Sequence, residues 1–200
     1  MNVLITNTLI IPMTREGYAL RGDIGIDSGK IVFVGPGDPA FVPDKIIDGS
    51  GHLTMPALVN AHTHLAMILM RNYKDNLPTL QAWLSEIYPI EDTLTADDIY
   101  RACRLAVAEL IQSGTTTFCD MYFHPAATID AVIEGGIRAN LGLTLFGDGE
   151  SSRARIKERE AVMREAQGHP SGRITISIAP HAIYTCTTET YQIANQWARE

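Results

Sequence analysis

Apolar positions in the first fifty-odd residues come in runs of three or four, broken by Gly, Pro, Asp and Asn. Runs this short suit strands and not helices. Val3 to Ile5 and Leu9 to Ile11 are two apolar, largely β-branched runs, and Asp23 to Ile26 alternates polar with apolar. Asp27-Ser28-Gly29-Lys30 is a hairpin turn signal, and Ile31 to Val34 is the returning strand. Gly35-Pro36-Gly37-Asp38-Pro39 is a loop. Lys45 to Asp48 is a further short strand, closed by Gly49-Ser50-Gly51. Residues 1–54 therefore read as a small all-β domain.

The pattern changes after Met55. Leu58-Val59-Asn60-Ala61 is a short apolar run, read as a buried strand. Trp83, Ile87 and Ile90 follow at roughly helical spacing. Thr95 is a good N-cap, with Asp97 and Asp98 in the first turn, where acidic groups suit the helix dipole. Ile99, Cys103, Ala106 and Leu110 repeat on one face, and Gly114 ends the helix. Thr115 to Phe118 is a β-branched strand, Ile129 to Ile133 a short helix ending at Gly135-Gly136, and Ile137 to Phe146 a third strand. Arg153 to Gln167 is a charged, exposed helix, Ile174 to Ala179 a fourth strand, and Glu189 to Glu200 a last helix. Residues 55–200 thus alternate strand and helix four times, which argues for parallel β/α architecture. A doubly wound sheet is disfavoured, because no Gly-rich phosphate loop follows the first strand. Four repeats amount to half of a (β/α)8 barrel.

Composition narrows the function classes. Of 200 residues, 46% are hydrophobic, enough for a core, and the formal net charge is −7. No basic run appears, which argues against a nucleic-acid partner. Cys103, Cys119 and Cys186 are odd in number and widely spaced, so neither a disulfide framework nor a thiolate zinc site is indicated. A reducing, cytoplasmic compartment is the simple inference. The N-terminal MNVLITNTLIIPMTREG has no basic n-region, so it is not read as a signal peptide. No apolar run reaches membrane-span length, so no membrane partner is expected.

The candidate chemistry lies at strand ends. His62 and His64 follow the first strand of the β/α region at i, i+2 spacing, where alternate residues share a face. Two imidazoles there can meet one ion; the competing reading is a chance pair among six histidines. His181 follows the fourth strand and fits a ligand, an acid/base, or a group polarising a substrate nitrogen or water. Glu91 follows Pro89-Ile90 in a loop before the Thr95 helix, as a holder of sugar hydroxyls or ring nitrogens or as a solvated carboxylate. Asp120 and His124 read as supporting residues. Arg153 and Arg155, at the start of the charged helix, read as a solvated face or as a clamp for an anionic substrate. His52 and His169 have no assigned role.

The run from Asp48 to His64, DGSGHLTMPALVNAHTH, resembles the opening of the amidohydrolase superfamily. It is similar to the 5-methylthioadenosine/S-adenosylhomocysteine deaminases and their triazine-hydrolase relatives. Further similar motifs run in order: Ile24 to Ile31, Trp83-Leu84 through Pro89-Ile90-Glu91, Gly114 to Thr117, Asp120 to His124, and Pro180 to Cys186. The resemblance implies the N-terminal half of a (β/α)8 TIM-like barrel over residues 55–200, preceded by part of a small β-sandwich over residues 1–54. It implies His62 and His64 as metal ligands, Glu91 against a ribose, and His181 against the ring near the reacting carbon. The ion implied is Zn2+, although imidazole sites also hold Fe, Ni or Mn. Hydroxide generated there would displace ammonia from a heterocyclic, adenine nucleoside-like substrate. A homo-oligomer is also implied.

The chain departs from that pattern in two places. Ala57 stands where most relatives have Gly. Leu143 stands where S-adenosylhomocysteine-accepting members often carry an arginine, which leaves Arg153 or Arg155 to meet a carboxylate. The resemblance further implies that a third metal histidine, a glutamate and a metal aspartate lie beyond residue 200, so that the chain reads as an N-terminal fragment, inactive alone. Other hydrolyses on the same scaffold, of a triazine, guanine, cytosine or pterin ring, remain open. So does a non-catalytic binding module.

Overall fold

The computed structural model describes residues 1–199. The chain divides into two compact units, Met1–Ala57 and Leu58–Glu200. The first is a mixed five-stranded sheet. Strands β1 (Val3–Ile10), β2 (Leu20–Asp27), β3 (Lys30–Gly35) and β4 (Lys45–Asp48) lie in the order β3-β2-β1-β4. A short β5 (Leu53–Thr54) also pairs with β1. Pairs β1–β2 and β2–β3 are antiparallel, and β4 and β5 run parallel to β1.

The two apolar runs at the N-terminus form one strand and not two. The polar Thr6-Asn7-Thr8 interval is absorbed by a register shift between Ile5 and Thr8. Asn7 takes φ 54°, a conformation Asn tolerates better than most residues, and its N–H donates to Asp23 Oδ1 at 2.9 Å. Thr8 is fully buried, yet its hydroxyl is satisfied by His52 O and Thr54 Oγ1. The β2–β3 hairpin turns on Ser28 (φ 51°) and Gly29 (φ 78°), the left-handed pair that a two-residue type I′ turn requires.

The second unit is a parallel four-stranded sheet with helices. Its strands β6 (Leu58–Thr63), β7 (Thr115–Met121), β8 (Arg138–Leu145) and β9 (Ile174–Pro180) lie in sequence order. Between β6 and β7 come a 3-10 helix (Leu65–Met70), α1 (Leu80–Glu91) and α2 (Ala96–Gln112). Helices α3 (Pro125–Gly135) and α4 (Gly149–Gln167) precede β8 and β9, and α5 (Thr188–Trp197) follows β9. Central strand β8 buries Leu141, Leu143 and Leu145, and its whole length but two residues is buried, as expected for a strand covered on both faces. Phe118, Val132, Ile99 and Cys103 complete this core. Burial pushes the Cys103 thiol up to about 12, so it behaves as a small apolar side chain.

Helix α2 begins with a complete capping box. Thr95 Oγ1 accepts from Asp98 N, and Asp98 Oδ2 accepts from Thr95 N at 2.9 Å. Gly114, at φ 80°, lets the chain leave α2 and enter β7. Two helix boundaries and the burial of one strand differ from expectation. Strand β6 is an edge strand, not a buried one: Leu58 is 53% and Val59 64% exposed, because among the described residues β6 pairs with β7 alone. Helix α1 runs through Pro89 to Glu91. The proline sits in the last turn, where its missing N–H removes one bond, and Asp92 N still donates to Tyr88 O at 3.0 Å. Helix α4 starts at Gly149, four residues before Arg153, because Asp148 caps it by accepting from Ser151 N at 2.9 Å. No described helix is long and apolar enough to cross a membrane.

Candidate active site

All four strands of the second unit point their carboxyl ends to one side, and the candidate residues gather there. His62 is the fifth residue of β6 and His64 follows its last residue. Thr144 is near the end of β8, and His181 is the first residue after β9. A cleft of about 790 Å3 opens between these ends, lined by His64, His181, Glu91, Tyr122, Arg155 and a set of aromatic side chains. Clefts at this end of parallel sheets are where α/β enzymes work.

The two histidines at the end of β6 are arranged as a pair. Their ring centroids are 5.0 Å apart and their planes 80° to each other. His64 Nδ1 lies 2.8 Å from Met121 O. A carbonyl can only accept, so that contact assigns the proton to Nδ1 and leaves Nε2 with a free lone pair. The turn after His64 is fixed by Asp120, whose Oδ1 accepts from Leu65 N at 2.7 Å. Asp120 is 5% exposed, and burial pushes its carboxyl up to about 7, against the pull of its backbone hydrogen bonds and of His62. Two free imidazole nitrogens on a held strand end suit a borderline metal ion. Among the described residues no group of three or more His, Cys, Asp or Glu is placed to hold a metal. A pair of imidazoles is one short of the three protein ligands a catalytic zinc normally takes.

His181 faces the same cleft. Its Nδ1 is 2.8 Å from Thr185 Oγ1, and that hydroxyl also reaches Ala182 O at 3.2 Å. The single hydroxyl proton goes to the carbonyl, so neutral His181 donates from Nδ1 and presents Nε2 as an acceptor. Burial, then the nearby His64 and His62, lower its pKa below the ordinary value, which keeps the ring neutral.

Glu91 also lines the cleft, but from the end of α1 and not from a loop. Its Oε1 accepts from Tyr122 Oη at 2.6 Å. The two arginines part company. Residues i and i+2 of a helix point some 200° apart. Arg153 turns outward and pairs with Glu189 of α5 at 2.5 Å, which leaves it out of the cleft lining. Arg155 turns into it, with its guanidinium 3.5 Å from the Phe146 ring centre and its Nε buried without a hydrogen-bond partner. Burial and the like charge of Arg159 both disfavour its charged form. His124 starts α3 at φ 49° without a capping bond. His52 and His169 bond within their own turns.

The family of the chain follows from its comparison with known proteins. The sequence profile of the Amidohydrolase family matches residues 53–200. The chain belongs to the amidohydrolase family. A 5-methylthioadenosine/S-adenosylhomocysteine deaminase of Moorella thermoacetica is 44% identical over 191 residues, covering 94% of this chain and 44% of that protein. The chain therefore spans just under half the length of the curated relatives it matches. The structure of an adenosine deaminase from Xanthomonas campestris with bound zinc superimposes with a TM-score of 0.89 at 27% identity, over 98% of this chain and 46% of that one. A triazine hydrolase from Arthobacter aurescens gives 0.87 at 23% identity, over 99% and 50%, and so speaks to the amidohydrolase fold alone.

Tyr122 and Phe146 escaped the sequence reading as site residues. Both stand immediately after a strand, the position that drew attention to His181, but Phe146 has no polar group and the Tyr122 phenol, protonated at neutral pH, is not a metal-ligand type that spacing would flag.

Proposed function

We propose that this chain carries one half of the active site of a metal-dependent hydrolytic deaminase acting on an adenine nucleoside of the 5-methylthioadenosine or S-adenosylhomocysteine type. The observation behind this reading is the convergence of His64, His181 and Glu91 on one cleft, with His62 against His64. In this reading Leu58–Glu200 is the first half of a (β/α)8 barrel, and Met1–Ala57 is part of a β-sandwich. The reading takes the protein as cytoplasmic, in keeping with cysteines that are all free, and as a homo-oligomer by family resemblance alone.

His62 and His64 would hold the ion, Zn2+ or another imidazole-binding divalent metal, through ring nitrogens not used in hydrogen bonds. When bound, such an ion would supply Lewis-acid chemistry and an activated water at neutral pH. The reaction replaces the ring amino group by oxygen: water is consumed and ammonia leaves. His181, neutral and with Nε2 free, accepts a hydrogen bond next to the reacting carbon and orients the ring. Glu91 accepts from the sugar hydroxyls, and Arg155 meets an anionic tail where the substrate has one.

Elemental analysis of the full-length protein tests this. About one equivalent of metal is expected, with His62→Ala and His64→Ala each losing metal together with ammonia release from 5-methylthioadenosine. A metal-free full-length protein, or one that still releases ammonia without both histidines, would sink the reading.

A further inference from the structure

Tyr122 has a place in the cleft that no role above uses. It is the first residue after β7 and is 8% exposed. Its ring packs between His64 and Phe123, at centroid distances of 6.4 and 5.1 Å. Its backbone is held on the β8 side, where Thr144 Oγ1 donates to Tyr122 O at 3.4 Å. Its hydroxyl reaches across to α1 and donates to Glu91 Oε1 at 2.6 Å. The rigid end of this contact is Tyr122, because its ring is packed and has two rotatable bonds. The mobile end is Glu91, with three side-chain torsions, on the last residue of a helix whose final turn lacks a hydrogen bond at Pro89.

We propose that Tyr122 is a positioning residue for Glu91: its hydroxyl takes one carboxylate oxygen and so fixes where the other meets the hydroxyl groups of a bound sugar. A phenol has one proton to give, and here it is spent on Oε1. Oε2 and the remaining lone pairs stay available to hydroxyl donors of a ligand. The neighbourhood favours the phenol as donor, since burial first, and then the hydrogen bond and charge of Glu91, raise its pKa. The phenol is therefore the donor of this contact. The Tyr122 segment also includes Met121 O, which orients His64. One stretch at the end of β7 thus sets both a histidine of the pair and the sugar acceptor, and so fixes the distance between the reacting end and the sugar end of the cleft.

This inference rests on the reading of Glu91 as a sugar acceptor, and its test separates the two. In the full-length enzyme, kcat and KM are measured for adenosine and for 2′,3′-dideoxyadenosine. The proteins compared are wild type, Tyr122→Phe, Glu91→Ala and the double variant. Loss of one charge-assisted hydrogen bond should raise KM for adenosine about tenfold in Tyr122→Phe. Its kcat should stay within about twofold, the dideoxynucleoside should be unaffected, and the double variant should resemble Glu91→Ala. Equal losses on both substrates, or additive effects in the double variant, overturn the role of Tyr122. A Glu91→Ala enzyme that treats the two substrates as wild type does overturns instead the reading of Glu91. Should the enzyme turn over neither nucleoside, a crystal structure of Tyr122→Phe decides: a displaced or disordered Glu91 carboxylate upholds the positioning role, and an unmoved one overturns it.

Discussion

Asp120 shows how one buried carboxyl ties a site together and leaves a signature in pH. It holds the turn after His64 through Leu65 N, and burial pushes its pKa to about 7 from an ordinary 3.8. A group whose folded pKa lies above its unfolded value keeps its proton longer in the native state. The native state therefore loses stability as pH rises from near 3.8 towards 7, and the loss is complete above that. Asp120→Asn keeps an oxygen to accept from Leu65 N and removes the titration. In metal-free protein, the midpoint of thermal unfolding of the variant should rise relative to wild type across that window. Curves that stay parallel would show that Asp120 does not titrate there. His181 has the opposite displacement. Burial is the larger cause of its lowered pKa, with His64 and then His62 adding to it. NMR titration of the metal-free protein should place its midpoint below the ordinary 6.5, and His64→Ala should bring it only part of the way back. Full recovery in that variant would mean that charge, not burial, sets the shift.

At the scale of elements, local chemistry decided what was legible in the sequence. Helix α2 announces itself at both ends, by Thr95 with Asp98 and by Gly114, because capping uses groups within three residues of one another. Thr95→Ala should therefore cost about 1 kcal/mol in denaturant unfolding. A loss of a few tenths would mean that tertiary packing, not the cap, holds the start of α2. The strand ends carrying His62, His64 and His181 were legible for a similar reason: β/α alternation fixes which end of each strand faces the cleft. The remaining details depend on contacts distant in sequence. Pro89 looks like a helix stop, and only the structure of the last turn shows α1 reaching Glu91. Arg153 and Arg155 look equivalent until the start of α4 is known; Asp148 sets that start, and the rotation of the helix then sends one to Glu189 and the other to the cleft. The break expected at Thr6-Asn7-Thr8 is a bulge, paid for by Asp23 sixteen residues away. Tyr122 and Glu91, thirty-one residues apart, meet only once β7 and α1 are packed.

At the scale of the molecule, the parallel sheet of Leu58–Glu200 ends in two open edges. Among the described residues, strand β6 pairs only with β7, and β9 pairs in the sheet only with β8. On β6 the open edge coincides with apolar surface, since Leu58 and Val59 are each more than half exposed. An unpaired parallel edge with β-branched residues recruits further strands, and soluble proteins normally cover or charge such an edge. The chain spans just under half the length of its curated relatives, and the proposed barrel would close against these edges with strands from the other half. The same residue then has opposite roles in two proteins. In the 200-residue chain on its own, light scattering should show association that grows with concentration. Val59→Lys should reduce it while leaving the circular dichroism spectrum unchanged, because a lysine at an open edge extends into water. In the full-length protein, Val59→Lys should not relieve association. It should lower stability by about 1–3 kcal/mol, because there the side chain would be enclosed and the charge desolvated. Equal tolerance of the lysine in both proteins would mean that β6 stays open in the full-length molecule, and the closed-barrel reading of this unit would fall.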